Sequence, residues 1–217
     1  MYICIEGPDG VGKSTLANLL SEYFLREGKS VFLTKEPGTI YDPINIKIRQ
    51  LLLDPDNKIN SKAALLLFLA DRAQHMDLIQ DRLSKGYIVI SDRSSLSTFV
   101  YHAASVDTPY QEVAKEIAPL LDFAQQIQPD VALVCTADFD WSVEQLKSRA
   151  KLDRIEQFKG EFHRKTHTLF SDAVIKEIAQ VIKLVPKRVI FIPPSSDNPP
   201  EALLDYAVAR LKLISDK

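Results

Sequence analysis

The sequence predicts an α/β fold, a five-stranded parallel sheet covered on both faces by helices. Two observations predict it. Short β-rich runs alternate with longer helical ones from one end of the chain to the other. The first β-rich run also opens onto a glycine loop that leads straight into a helix. Length and composition agree: 217 residues, 46% apolar and 26% charged, suit one domain over 1–217 with a small mobile subdomain.

The elements follow in order. Tyr2 to Glu6 is the first strand, and Lys13 to Glu27 a helix stopped by Gly28. Val31 to Lys35 is the second strand, broken by Glu36-Pro37-Gly38. Ile44 to Leu53 forms a short helix halted at Asp54-Pro55. Ser61 is placed as the N-cap of a long helix reaching about Lys85, before Gly86. Tyr87 to Ser91 has the continuous apolar character of a strand buried on both faces. Ser95 to Ala104 and Tyr110 to Gln126 are helical, and Pro129-Asp130 introduces the strand Val131 to Cys135. Trp141 to Arg149 is a helix, followed by a charged stretch and one long helix over Glu161 to Leu184. Arg188 to Ile192 is the last strand, and an amphipathic helix closes the chain.

Composition excludes several classes. The two cysteines, Cys4 and Cys135, lie inside apolar runs, so a disulfide scaffold is ruled out and a reducing, cytoplasmic setting is expected. The longest apolar run, Ala63 to Ala70, is too short to cross a bilayer. The N-terminus has no basic region or cleavage site and reads as a strand, not a signal peptide. A net charge of −2 argues against a broad nucleic-acid surface, while a local basic pocket stays open. Neither membrane nor nucleic acid is therefore an expected partner.

Gly7-Pro8-Asp9-Gly10-Val11-Gly12-Lys13-Ser14 fits G-x-x-x-x-G-K-[ST], with Thr15 following, between a strand and a helix. Its glycines let backbone N–H groups wrap phosphate oxygens, and the next helix presents its positive end to them. Lys13 neutralises outer phosphates, and the Ser14 hydroxyl is a hard oxygen suited to Mg²⁺. The loop alone indicates a nucleoside triphosphate and no particular reaction.

Other residues bear on the reaction. Asp92-Arg93 follows the third strand at the ligand-binding edge of such a sheet. The aspartate is placed to hold Mg²⁺ and the arginine to clamp a second phosphate. Phe68 and Arg72 share a helix face at i, i+4, a base stacker and a phosphate-reaching cation, though a core Phe beside a solvated Arg has the same spacing. Arg49 and Glu36-Pro37-Gly38 are uninformative alone. The stretch Arg149 to Glu156 holds basic residues that could close over phosphates and exclude water, or form a solvated connection.

Taken together the motifs resemble thymidylate kinases along nearly the whole chain. The resemblance runs through Ile5 to Thr15, Lys35-Glu36-Pro37-Gly38-Thr39, Ile48 to Leu52 and Leu67 to Arg72. It continues through Ser91-Asp92-Arg93, Ser97-Thr98, Tyr101 and Leu152-Asp153-Arg154-Ile155-Glu156. It implies the three-layer sandwich of P-loop nucleoside monophosphate kinases, with a short mobile lid at about 148–160. It implies ATP as phosphoryl donor, dTMP as acceptor, Mg²⁺ as cofactor, and a homodimer packed through the Ala63–Ala70 region. By the same resemblance Phe68 stacks on thymine, Arg72 and Thr98 contact the base edge or, for the arginine, also the phosphate side, and Ser97 belongs to the dTMP site. Arg49 and Arg93 hold the dTMP phosphate, Glu36 and Pro37 line the acceptor site, and Tyr101 lies under the sugar. Asp9 binds near the 3′-hydroxyl and the metal. Gly7, Asp9, Gly10, Val11, Gly12, Lys13, Ser14 and Thr15 cradle the ATP phosphates. Lys13, Arg93, Arg149 and Arg154 carry catalysis, with Ser14, Asp92 and Asp9 at the metal. Gly10 stands where one branch of the family has an arginine, so the basic-lid, bacterial-type design is implied. Two departures stand out: the turn after Glu36 is one glycine short, and Gly-Glu is missing before Leu152.

A phosphate acceptor is already nucleophilic at neutral pH and needs no general base. A deoxynucleoside kinase is the alternative; its neutral hydroxyl acceptor would need Glu36 as base. A P-loop nucleotide switch or binding module is the third reading.

Overall fold

A computed structural model describes residues 1–182, 186 and 188–215. The strands are β1 (Tyr2–Glu6), β2 (Val31–Lys35), β3 (Ile88–Asp92), β4 (Val131–Val134) and β5 (Val189–Phe191). They form one wholly parallel sheet in the order β2-β3-β1-β4-β5. The helices are α1 (Lys13–Arg26), α2 (Pro43–Leu53), α3 (Ser61–Ser84), α4 (Ser95–Ala104) and α5 (Tyr110–Ala124). They continue as α6 (Phe139–Lys147), α7 (Gly160–Leu169), α8 (Asp172–Ile178) and α9 (Pro200–Ser215).

Both faces of the sheet are buried, which is why its strands read as continuous apolar runs. On one face Ile3, Ile5, Ile90 and Leu133 pack against Leu16 and Leu20 of α1 and Ala207 of α9. On the other, Tyr2, Phe32 and Val89 pack against Met76 and Ile79 of α3. Beside them Val134 joins Phe99, Ile117 and Ile175 of α4, α5 and α8. The register sets Asp92 opposite both Ile5 and Lys35. The residues after β1, β2 and β3 therefore leave the sheet along one edge, where the strand order reverses about β1 and ligands bind in such folds.

Several boundaries differ from the sequence reading. The N-cap of α3 is Asn60, not Ser61: its Oδ1 accepts from the Ala63 N–H at 2.9 Å. Asp138 caps α6, so that helix begins at Phe139 and stops at Lys147, short of Arg149. The helix predicted from Glu161 to Leu184 is two. The Phe170 N–H closes α7 on the Thr166 carbonyl, and Ser171 turns extended (φ −72°, ψ 152°) to start α8. Burying Phe170 beside Tyr101 requires that bend, because one straight helix cannot face the core with both Leu169–Phe170 and Val174–Ile175. Leu184 lies outside the described residues. The apolar run of α3 is not buried all round, since Leu66 is 59% exposed. Among the described residues no helix is long and apolar enough to cross a membrane.

Candidate active site

The loop after β1 turns tightly at its glycines. Gly7, Gly10 and Gly12 have positive φ (137°, 83° and 85°), a region open to glycine. At Gly10 the need is double, because a Cβ there would lie 2.3 Å from the Ser142 carbonyl oxygen of α6. Gly10→Ala is therefore expected to lower stability by about 2–4 kcal/mol and to weaken ATP binding, read by thermal unfolding and by nucleotide titration. Gly12 caps α1, whose N-terminus opens toward the loop. Lys13 folds back: its Nζ donates to the Pro8 carbonyl and lies 3.9 Å from Asp9. Burial and the nearby Arg93 charge bring its pKa down to about 8.

β3 delivers Asp92 and Arg93 beside this loop. Ser14 Oγ donates to Asp92 Oδ2 at 2.5 Å. Asp92 Oδ1 is buried without a partner among the described residues. A hydroxyl and a carboxylate with an unused buried oxygen, at a phosphate loop, are a donor set that fits Mg²⁺, which takes few protein ligands beside phosphates and water. Asp9 is engaged elsewhere. Its Oδ1 accepts from Arg93 Nη2, and the Arg93 and Lys13 charges hold it below the usual carboxylate range despite burial.

Arg93 is the centre of the edge. Its φ is 81°, uncommon for a side chain of this size. Nη1 donates to the Gly7 carbonyl at 3.2 Å and to Ser97 Oγ at 3.0 Å; Nη2 donates to Tyr101 Oη at 2.9 Å. Burial opposes its charge, but Tyr101, Asp9 and Asp92 outweigh burial and raise its pKa. Ser97 in turn donates to Glu6, the buried last residue of β1. Burial pushes the Glu6 carboxyl up to about 7.

Across the cavity, Arg72 of α3 donates to Glu36 through Nε at 3.0 Å and also through Nη2. Arg72 and His75 hold Glu36 below the usual carboxylate range although it is buried. Arg49 Nη1 donates to the Pro37 carbonyl at 2.6 Å. The Gly38 N–H reaches Asp71 at 2.9 Å, and the Asn45 amide donates to Asp71 Oδ1 at 2.7 Å, tying the turn after β2 to α2 and α3.

These groups enclose a cavity of about 200 Å³. It is lined by Asp9, Lys13, Ser14, Glu36, Pro37, Arg49, Phe68, Arg72, Asp92, Arg93, Ser97, Thr98, Tyr101 and Arg149 from the sequence-derived set. Arg149 is 48% exposed and paired with Glu156 of its own segment. Arg154 is not brought there. Its Nε donates to the Leu52 carbonyl at 2.7 Å and its N–H to the Leu53 carbonyl at 3.0 Å. Its side chain lines a neighbouring cavity instead and anchors the 148–159 segment to the end of α2. Arg154 thus ties its segment to the C-terminus of α2, its guanidinium to the Leu52 carbonyl and its backbone N–H to that of Leu53, where carbonyls lack intrahelical partners.

Sequence reasoning passed over Glu6, Asn45, Asp71 and His75. The available signals were an ionisable residue ending a fully buried strand, and polar residues on the otherwise buried face of α3.

The sequence profile described as thymidylate kinase matches residues 5–187. The chain is 37% identical over 193 residues to a thymidylate kinase of Protochlamydia amoebophila, covering 84% of each chain. It is 39% identical over 159 residues to one of Thermosipho africanus, covering 72% of this chain and 76% of the other. It is 30% identical over 219 residues to one of an Exiguobacterium strain, covering 98% and 96%.

Proposed function

The chain belongs to the thymidylate kinase family, and from that premise we propose how its cavity turns dTMP into dTDP with ATP as donor. The observation that carries the reading is Arg93, which touches the phosphate loop at Gly7 and Asp9 and the acceptor side at Ser97 and Tyr101. Phosphoryl transfer is mainly positioning and charge neutralisation. Two unit charges 4 Å apart repel by about 4 kcal/mol at an effective dielectric of 20. Lys13, Arg93 and Arg49 converge on the cavity where two sets of phosphates would meet. On nucleotide binding Lys13 exchanges the Pro8 carbonyl for phosphate oxygens. Arg93 exchanges Asp9 in part for the acceptor phosphate, whose second charge makes it the nucleophile. Ser14 and Asp92 would hold Mg²⁺, which supplies positive charge to the phosphate oxygens when bound. Arg149, released from Glu156, closes the 148–159 segment over them and excludes water. Phe68 and Arg72 face the base, and Tyr101 the sugar.

The state of Glu36 argues against the nucleoside-kinase alternative. A carboxylate bound to Arg72 and lowered in pKa is a poor base for a hydroxyl proton. In an ADP-release assay, turnover is expected with dTMP and not with thymidine. Turnover with thymidine alone would refute the phosphate-acceptor roles of Arg49 and Arg93. The exposed Leu66 and Phe123, on the contacting helices α3 and α5, support a homodimer face, and a monomer by sedimentation would refute it.

A further inference from the structure

Behind the cavity lies a buried line of polar groups that the transfer chemistry does not use. Two nitrogens of Arg72 are engaged by a single oxygen, Glu36 Oε2. The third, Nη1, is buried and has no partner among the described residues, although Arg72 is part of the cavity wall near Phe68. Arg72 is only 2% exposed, so water does not serve that nitrogen freely. A guanidinium nitrogen left over in a dry wall requires an acceptor. The 4-keto oxygen of a pyrimidine such as thymine is one; the 4-amino group that cytosine has in its place is a donor and leaves the nitrogen unpaired.

The other oxygen of Glu36 is held from behind. Oε1 lies 3.4 Å from Nδ1 of His75, a residue with no solvent exposure. His75 Nε2 lies 2.8 Å from Thr34 Oγ1 on β2. That hydroxyl lies 3.0 Å from Thr39 Oγ1, just past the shortened turn. Both threonines are buried. Glu36 is ionised and its oxygens only accept, so Nδ1 of His75 carries the proton between them. The chain Thr39–Thr34–His75–Glu36–Arg72 therefore runs from the turn after β2 to the free Nη1.

We propose that His75, anchored by Thr34 and Thr39, is a positioning residue for base selection. By pinning Glu36 it aims Nη1 of Arg72 at a keto oxygen, so the choice between keto and amino pyrimidine nucleotides depends on side chains that never touch the nucleotide. The inference rests on the reading of the cavity as the dTMP site.

The test compares kcat and KM for dTMP and dCMP in wild type, Thr34→Val and Thr34→Ser. Wild type is expected to favour dTMP by about 10³-fold or more in kcat/KM. Thr34→Val keeps the strand-compatible shape and removes the hydroxyl. It is expected to cut that preference about tenfold or more, chiefly by raising KM for dTMP, with kcat changed by less than about threefold. Thr34→Ser restores the preference. A folded Thr34→Val with an unchanged preference overturns the inference, as does an equal loss of kcat with both nucleotides. Absence of dTMP turnover in wild type overturns the cavity assignment and this inference together, whereas turnover with an unchanged preference overturns the inference alone. A second measurement needs no variant. Nitrogen-15 NMR of the wild-type protein should find a proton on Nδ1 of His75, and an unprotonated Nδ1 overturns the proposal.

Discussion

Arg93→Ala is expected to lower kcat with dTMP by about 10³-fold while leaving a folded protein. The side chain contacts Gly7, Asp9, Ser97 and Tyr101 at once, so its loss removes a cation that links the phosphate loop to α4 across the cavity. The backbone gains nothing from the change, because alanine at φ 81° is as strained as arginine. Asp9 keeps Lys13 nearby, so its charge is not left alone. Arg93→Lys should recover only part of the rate, since an ammonium cannot hold two phosphate oxygens in a planar fork and also reach Ser97. Steady-state ADP release, with circular dichroism as the check on folding, decides the matter. Wild-type turnover in Arg93→Ala would remove Arg93 from the mechanism.

Much of the fold was legible because its strands are buried on both faces and its turns carry glycine or proline. β1 and β2 have the boundaries read from their apolar runs. The long helix read over Glu161 to Leu184 was misread for a physical reason. Leu169, Phe170, Val174, Ile175 and Ile178 all carry apolar side chains, and periodicity cannot show that they pack only if the chain bends at Ser171. The Asn60 cap was missed because Asn60 and Ser61 are adjacent and equally able to cap, and only backbone geometry separates them.

Within the site, many residues that line the cavity were legible as motifs, and those that hold them were not. Phe68 and Arg72 share a helix face, and Asp92-Arg93 ends a strand; both follow from spacing. That Arg72 meets Glu36, some 36 positions away, depends on how α3 crosses the end of β2, which spacing does not contain. The missing glycine after Glu36 is another case. Gly38 (φ 78°) takes the tight approach alone, since a Cβ there would lie 2.2 Å from Arg49 Cβ, and Thr39 follows directly into the buried contact with Thr34. Arg154 is a third case. Its place in a charged run does not reveal that its side chain and backbone reach the Leu52 and Leu53 carbonyls, some 100 positions away.

Glu6 makes a second large effect accessible through pH. Unfolded, its carboxyl loses its proton near pH 4.5; folded, burial holds the proton until about pH 7. Between those values the folded chain binds more protons than the unfolded one, so the contribution of Glu6 to stability falls as pH rises and is lost above pH 7. At 1.36 kcal/mol per pH unit the loss from pH 5 to pH 8 is about 2–3 kcal/mol. Asp71, raised to about 6, and Lys13, lowered to about 8, titrate in the same window, so the absolute stability curve does not isolate Glu6. The comparison with Glu6→Gln does, because those groups are common to both proteins. Urea unfolding at pH 5 and pH 8 should show wild type losing about 2–3 kcal/mol relative to Glu6→Gln over that interval. Parallel curves would mean that Glu6 is already ionised in the folded protein at pH 5. Its negative charge would then be held through Ser97 against Arg93 rather than neutralised by its own proton, and the buried edge would be an ion network before any nucleotide arrives.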